Sequence, residues 1–186
     1  MKQALLVIDV QESFRHRPYY RADEVPAFLA NVQSLIERTR ERGSAIVQVL
    51  HREPGDDPAN PFTAVSGFVR TMPELSLQAD AVFHKHVHSA LFGTDAAGAT
   101  LEAWLRAHGI GEVLVTGIRT EQCCETTARH ASDAGFAVRY LTDATLTFPM
   151  HARSGREYSP AEIRERTELV LEGRFARVLP SAAAFL

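Results

Sequence analysis

Residues 112–143 read EVLVTGIRTEQCCETTARHASDAGFAVRYLTD, and this stretch decides the fold. Its ends, EVLVTG (112–117) and AVRYLTD (137–143), are apolar runs of strand length, while 121–134 carries a helical pattern that stops at Gly135. A strand, a helix and a second strand in succession predict a parallel pair joined by a crossover, since an antiparallel pair needs only a short turn. Working outward, further strand-length runs stand at ALLVIDV (4–10), AIVQVLH (45–51), AVFHK (81–85) and, more weakly, ARVL (176–179). Helical patterns fill most of the intervals. Segment 24–42 puts Val25, Phe28, Leu29, Val32, Leu35 and Ile36 on one face and stops at Gly43. Segments 96–108 and 159–172 stop at Gly109 and Gly173 in the same way.

Because the strands are continuous apolar runs and do not alternate, both faces of the sheet are expected to be covered. The expected architecture is one α/β domain over residues 1–186, a three-layer α/β/α Rossmann-like fold with six mainly parallel strands in the order 3-2-1-4-5-6. Two irregular stretches, 52–79 and 144–158, are rich in proline, glycine and polar residues and read as functional lids or interface segments.

Composition narrows the partners. With 20 basic against 23 acidic residues in no long blocks, nothing marks a surface for nucleic acid or an anionic membrane, and a small molecule is the expected partner. The opening MKQALLVIDVQESF has an apolar run that ends at Asp9, too short for a signal peptide or a membrane span, and it reads as the first strand. The only two cysteines, Cys123 and Cys124, are adjacent and cannot staple a fold, which predicts a reducing, cytoplasmic setting.

In an open parallel sheet, ligands bind beyond the carboxyl ends of the strands. Three reactive side chains fall there: Asp9 after the first strand, Lys85 after the third and Cys123 beyond the fourth. Thr120 is expected to cap the following helix by accepting from the Cys123 N–H, which would place Cys123 in the first turn, where the helix dipole favours a thiolate. Cys124 falls with Ala128, Ala131 and Gly135 on a small apolar stripe and reads as packing. The bland alternative is that both thiols are ordinary core residues. His84, His86 and His88 alternate around Lys85 and on an extended strand would share one face, a metal comb in outline. A dinucleotide site is disfavoured, since no G-x-G-x-x-G follows the first strand.

These residues carry a resemblance. The chain resembles the isochorismatase-like cysteine hydrolases, a superfamily that includes nicotinamidases and N-carbamoylsarcosine amidase. LLVIDVQESF matches the family's aspartate motif, KHVHSALFGT its K-x-x-x-S-A-F-x-x-T lysine motif, and GIRTEQC its G-[VI]-x-T-x-x-C nucleophile motif. The likeness continues to Asp143-Ala144 and the closing FARVLPSAAAFL.

The resemblance implies Cys123 as nucleophile, Asp9 as acid/base and Lys85 as the third catalytic residue. It also implies a cis peptide bond between Ile118 and Arg119, and an oxyanion hole from the backbone N–H groups of Arg119 and Cys123. Phe14 takes the place of a pocket-lining aromatic, and the Arg119 side chain is a candidate to meet a substrate carboxylate. No cofactor or metal is implied for such a triad. The D-x-H metal motif of nicotinamidases is absent, because Val49 stands two residues before His51 and no further histidine follows until His84. Leu91 replaces the phenylalanine of S-A-F. Isochorismatases proper lack the cysteine, so Cys123 points to hydrolysis of an amide, ureido or related acyl bond. The alternative is a noncatalytic or metal-dependent binding protein on the same scaffold. Members of the family it resembles are commonly dimers or tetramers, which implies a homo-oligomer.

Overall fold

The computed structural model describes all 186 residues. Strands β1 (Lys2–Ile8), β2 (Ala45–His51), β3 (Ala81–Lys85), β4 (Ile110–Ile118) and β5 (Ala137–Leu146) follow the expected runs. A two-residue hairpin, β6 (Met150–His151) and β7 (Glu157–Tyr158), then precedes β8 (Arg177–Leu179). The main sheet has the order β3-β2-β1-β4-β5-β8, and every pairing in it is parallel. The expected topology therefore holds. The sheet's sixth strand is the eighth along the chain because the hairpin occupies part of the loop expected over 144–158.

The helices are α1 (Val25–Glu41), α2 (Leu101–Ala107), α3 (Glu125–Asp133) and α4 (Pro160–Leu171). On β1, Ala4, Leu6 and Ile8 join a core of 22 buried residues with the inner faces of α2 and α3, while Leu5 and Val7 join one of 21 with α1. Two cores of nearly equal size on opposite faces explain why the strands read as unbroken apolar runs. All six apolar residues assigned to the inner stripe of α1 are buried. Helix α2 is shorter than the segment 96–108 suggested. Asp95 Oδ1 accepts from the N–H groups of Ala97 and Ala99, holding a turn, and Thr100 caps the helix by accepting from Ala103 N–H. No helix is long and apolar enough to cross a membrane.

Strand order reverses between β1 and β4, which opens a crevice at their carboxyl ends. The two strands approach closely there. Gly117 pairs with Ile8, has φ +132°, and a Cβ at that position would stand 1.9 Å from the Ile8 carbonyl oxygen. Only glycine permits this approach, and it delivers the chain after β1 and the chain after β4 to the same place.

Candidate active site

Each reactive group reaches the crevice from the end of a different strand. Asp9 follows β1 with φ +54°, a left-handed turn that aspartate tolerates better than most residues. Its N–H donates to Val49 of β2 at 2.8 Å, and its carbonyl accepts from Gln11 N–H at 2.8 Å. Lys85 is the last residue of β3. Its Nζ donates to Asp9 Oδ2 at 2.7 Å and to Cys123 Sγ at 3.3 Å, and lies 3.2 Å from His51 Nδ1 at the end of β2. The Lys85 and Asp9 side chains are both wholly buried. Four strand ends thus converge on one ammonium group.

Cys123 lies in a single π-helical turn, Thr120–Cys124, that leads into α3. The structure corrects the expected cap. Arg119 precedes the turn and its carbonyl accepts from the N–H groups of Gln122 and Cys124 at 3.2 and 3.1 Å. Because the turn is wide, the Thr120 hydroxyl is not needed as a cap. It donates instead to Thr145 Oγ1 at 2.7 Å, whose own proton goes to the Thr142 carbonyl, while Tyr140 Oη–H donates to the Thr120 carbonyl at 2.8 Å. The turn is tied down by β5. The Ile118–Arg119 peptide bond just before it is cis.

The thiolate expected from the helix position is also corrected. Burial, then the nearby Asp9 charge, push the Cys123 thiol well above its ordinary range, and the Lys85 ammonium offsets only part of this. The resting sulfur is therefore a neutral thiol beside an ion pair. Lys85 itself is opposed by burial, but Asp9 and then Cys123 outweigh that cost and hold its pKa above the usual lysine value. Asp9 Oδ1, in contrast to Oδ2, is buried with no hydrogen-bond partner. An unpartnered carboxylate oxygen in this position is able to accept a proton or a hydrogen bond. Cys124 is completely buried in the core with Ala128 and Ala131, as its stripe implied, while Gly135 is exposed beyond the end of the helix.

Asp9 and Cys123 form part of the lining of a cavity of about 280 Å³, with Phe14, Tyr19 and Phe62 among its walls. Phe14, which lines this cavity, meets Phe62 edge-on at 5.1 Å. Phe62 comes from the irregular stretch 52–79, which gives that loop a place in the site. The Arg119 guanidinium is not part of the lining. It is buried, 2.9 Å from a Glu121 carboxylate oxygen, and stacked over Tyr19 at 5.0 Å. This conformer offers no contact to a substrate carboxylate.

The histidine comb does not form, because β3 stops at Lys85. His84 is held by two backbone bonds to Thr94, each 2.9 Å, whereas His86 and His88 are exposed and line the cavity. The ligand-type atoms that do converge belong to Asp9, His51 and Cys123, within 4.8 Å of one another. They do not fit a resident metal, because Lys85 Nζ already stands among them at 2.7, 3.2 and 3.3 Å and would repel a cation. Val49, in place of the D-x-H aspartate, is buried and apolar.

His51 is the site residue that sequence reasoning did not assign. Its backbone is gripped by the Gln11 amide, which accepts from His51 N–H at 2.8 Å and donates to its carbonyl at 3.0 Å. Burial, then the Lys85 charge, lower its pKa, so at neutral pH it is an uncharged acceptor for the ammonium. Its place at the end of β2, on the same rim as the other three, was the available signal.

Comparison with known proteins gives a consistent result. The isochorismatase domain family matches residues 3–171. The isochorismatase family protein YrdC of Bacillus subtilis (strain 168) is 29% identical over 182 residues, covering 96% of this chain and 91% of that protein. Nicotinamidase 3 of Arabidopsis thaliana is 31% identical over 157 residues, covering 78% and 73%. Among solved structures, an isochorismatase-family protein from Chromobacterium violaceum ATCC 12472 superposes with a TM-score of 0.83 at 28% identity, covering 97% of this chain and 90% of that one. The chain belongs to the isochorismatase family and is a hydrolase of that family.

Proposed function

We propose that the chain hydrolyses a C–N bond, amide or ureido, of a small molecule through Cys123, Asp9 and Lys85. The observation that carries this reading is the orphaned Asp9 Oδ1 beside a neutral Cys123 thiol, with Oδ2 of the same carboxylate held by Lys85 at 2.7 Å. The carboxylate has one oxygen anchored and one left for proton transfer.

The steps balance without a cofactor. Cys123 Sγ attacks the carbonyl carbon as its proton passes to Asp9 Oδ1, and the carbonyl electrons move onto oxygen. The backbone N–H groups of Arg119 and Cys123 are the donors assigned to that oxyanion. As the tetrahedral intermediate collapses, the C–N bond breaks and Asp9 returns the proton to the leaving nitrogen, so ammonia or an amine departs and a thioester remains. Water then attacks the thioester and gives a proton to Asp9. The C–S bond breaks, the acid is released and the proton returns to sulfur. Lys85 stays charged throughout, holding Asp9 in place and stabilising negative charge on sulfur at 3.3 Å.

The cavity of about 280 Å³ lies just below the range for small-molecule pockets, roughly 300–1,000 Å³, which favours a compact substrate. Amide chemistry is also supported by the likeness to a nicotinamidase. The test is a panel of primary amides and ureido compounds, scored for released ammonia and, after rapid quenching, for acyl mass on the Cys123 peptide. Ammonia release and a transient adduct are expected from the native chain and neither from Cys123→Ala. Ammonia release that survives Cys123→Ala refutes the proposal.

A further inference from the structure

We infer that the substrate carries a carboxylate, bound by Arg17 at the mouth of the cavity that holds Cys123. The inference rests on the assignment of Cys123 as the reacting atom and adds the chemistry of the substrate's other end.

Arg17 lines that cavity and is exposed, whereas Asp9 and Cys123 at its base are buried. Its guanidinium has no carboxylate partner and no side-chain hydrogen bond. It lies instead against two aromatic walls of the cavity, 5.7 Å from the Tyr19 ring centre and 6.0 Å from that of Phe62. These contacts leave its donor fork free of any side-chain partner. Three other arginines near this end of the molecule face carboxylates, Arg15 with Glu74, Arg70 with Glu12 and Arg119 with Glu121, and Arg52 is exposed but outside the cavity lining.

Two acids share the lining with Arg17, namely Glu53 and Asp9. Glu53 accepts from Asn60 Nδ2 at 2.7 Å and faces His51 Nε2 at 3.9 Å. Asp9 is neutralised by Lys85 at 2.7 Å. Arg17 is the one guanidinium in the lining, and it stands unpaired with two exposed imidazoles, His86 and His88, in the same wall. A guanidinium in this state binds a carboxylate in a two-point fork, and the small volume of the cavity requires that carboxylate and scissile amide belong to one compact molecule.

The experiment uses matched pairs of small amides that differ only in bearing a carboxylate or a neutral hydroxymethyl group. It is paired with alkylation of Cys123 by iodoacetate and by iodoacetamide, followed by peptide mass. The native chain is expected to favour the carboxylate member by roughly 10- to 100-fold in kcat/KM. Arg17→Met should remove that preference, chiefly through KM, and Arg17→Lys should restore only part of it. The iodoacetate-to-iodoacetamide rate ratio should fall severalfold in Arg17→Met. This second readout needs no turnover. If the ratio falls while no amide is hydrolysed, carboxylate binding at Arg17 stands and the amidase reading fails. An unchanged ratio, or a carboxylate preference that survives Arg17→Met, overturns the inference.

Discussion

Lys85 Nζ lies 2.7 Å from Asp9 Oδ2, and both side chains are wholly buried. A buried ion pair is worth little against an apolar replacement of the whole pair, but removing one member strands the other charge. Lys85→Met is therefore expected to lower unfolding free energy by about 3–5 kcal/mol, and Asp9→Asn to cost less because the amide still accepts from the ammonium. The double variant Asp9→Asn with Lys85→Met should be more stable than Lys85→Met alone. Urea denaturation of the three proteins measures this, and a double variant no better than Lys85→Met would mean that the pair is not coupled.

The two cysteines differ in setting. Cys123 borders the cavity, and Cys124 is sealed in the core. Cys123→Ser should reduce turnover by about 10³-fold or more, since a nucleophile with its proton acceptor acts as a unit. Cys124→Ala removes only a buried sulfur, at about 1 kcal/mol of stability, and should keep most of the activity. Steady-state kinetics on folded protein decide the matter, and equal losses in the two variants would reverse the assignment.

How much of this was legible beforehand follows from the range of the forces involved. Strand runs, helix stripes and the order of the sheet are local patterns closed by a topology rule, and Asp9, Lys85 and Cys123 fell on its rim because strand ends were readable. The capping of Cys123 was misread because Thr120 is drawn to Thr145, a partner 25 residues away that the sequence does not associate with it. Burial governs the thiol's protonation, and burial is a property of the assembled crevice. His51 was set aside for lacking a metal-motif neighbour, although its actual partner is an ammonium contributed by another strand. The reach of Arg119 failed for the same reason, since Glu121 and Tyr19 hold the guanidinium.

Folding raises the pKa of both Cys123 and Lys85, so the folded state holds these protons more tightly than the unfolded chain. Their contribution to stability is complete below the unfolded values, about 8.5 for a thiol and about 10.4 for an ammonium, and declines as pH rises past them. Cys124, raised by burial, acts in the same direction as Cys123. Stability is expected to fall from about pH 8.5 upward, and the slope should flatten when Cys123 is replaced by serine, which does not titrate there. Urea midpoints measured through this range provide the check, and parallel curves for the two proteins would contradict it.

His51 Nδ1 stands 3.2 Å from Lys85 Nζ, and its pKa is lowered by burial and then by Lys85. As an uncharged acceptor it helps aim the ammonium at Asp9 and Cys123. His51→Leu removes that acceptor and should cost roughly 10-fold or more in kcat, with His51→Asn retaining more activity because its side chain can still accept. Dialysis against a chelator should leave turnover unchanged, since the ammonium occupies the centre of the only converging ligand atoms. Loss of activity on chelation, restored by a divalent ion, would place a metal where the structure has Lys85.

The approach of β4 to β1 carries the last prediction. A Cβ on Gly117 would stand 1.9 Å from the Ile8 carbonyl oxygen and 2.7 Å from its carbon, both backbone atoms that cannot swing aside, and φ +132° is itself closed to L side chains. Gly117→Ala must therefore separate β1 from β4 at the point where Asp9 and Cys123 leave the sheet. The expected outcome is either failure to fold or a loss of several kcal/mol, of the size seen when overpacking and a forbidden φ combine. In whatever folded fraction survives, turnover should fall further than stability does, because the gap opened between the strands lengthens the distance from Asp9 Oδ1 to Cys123 Sγ. Circular dichroism melts with kinetics on the soluble fraction test both parts. A Gly117→Ala protein with native stability and turnover would show that close strand contact is not what holds the carboxylate and the thiol together.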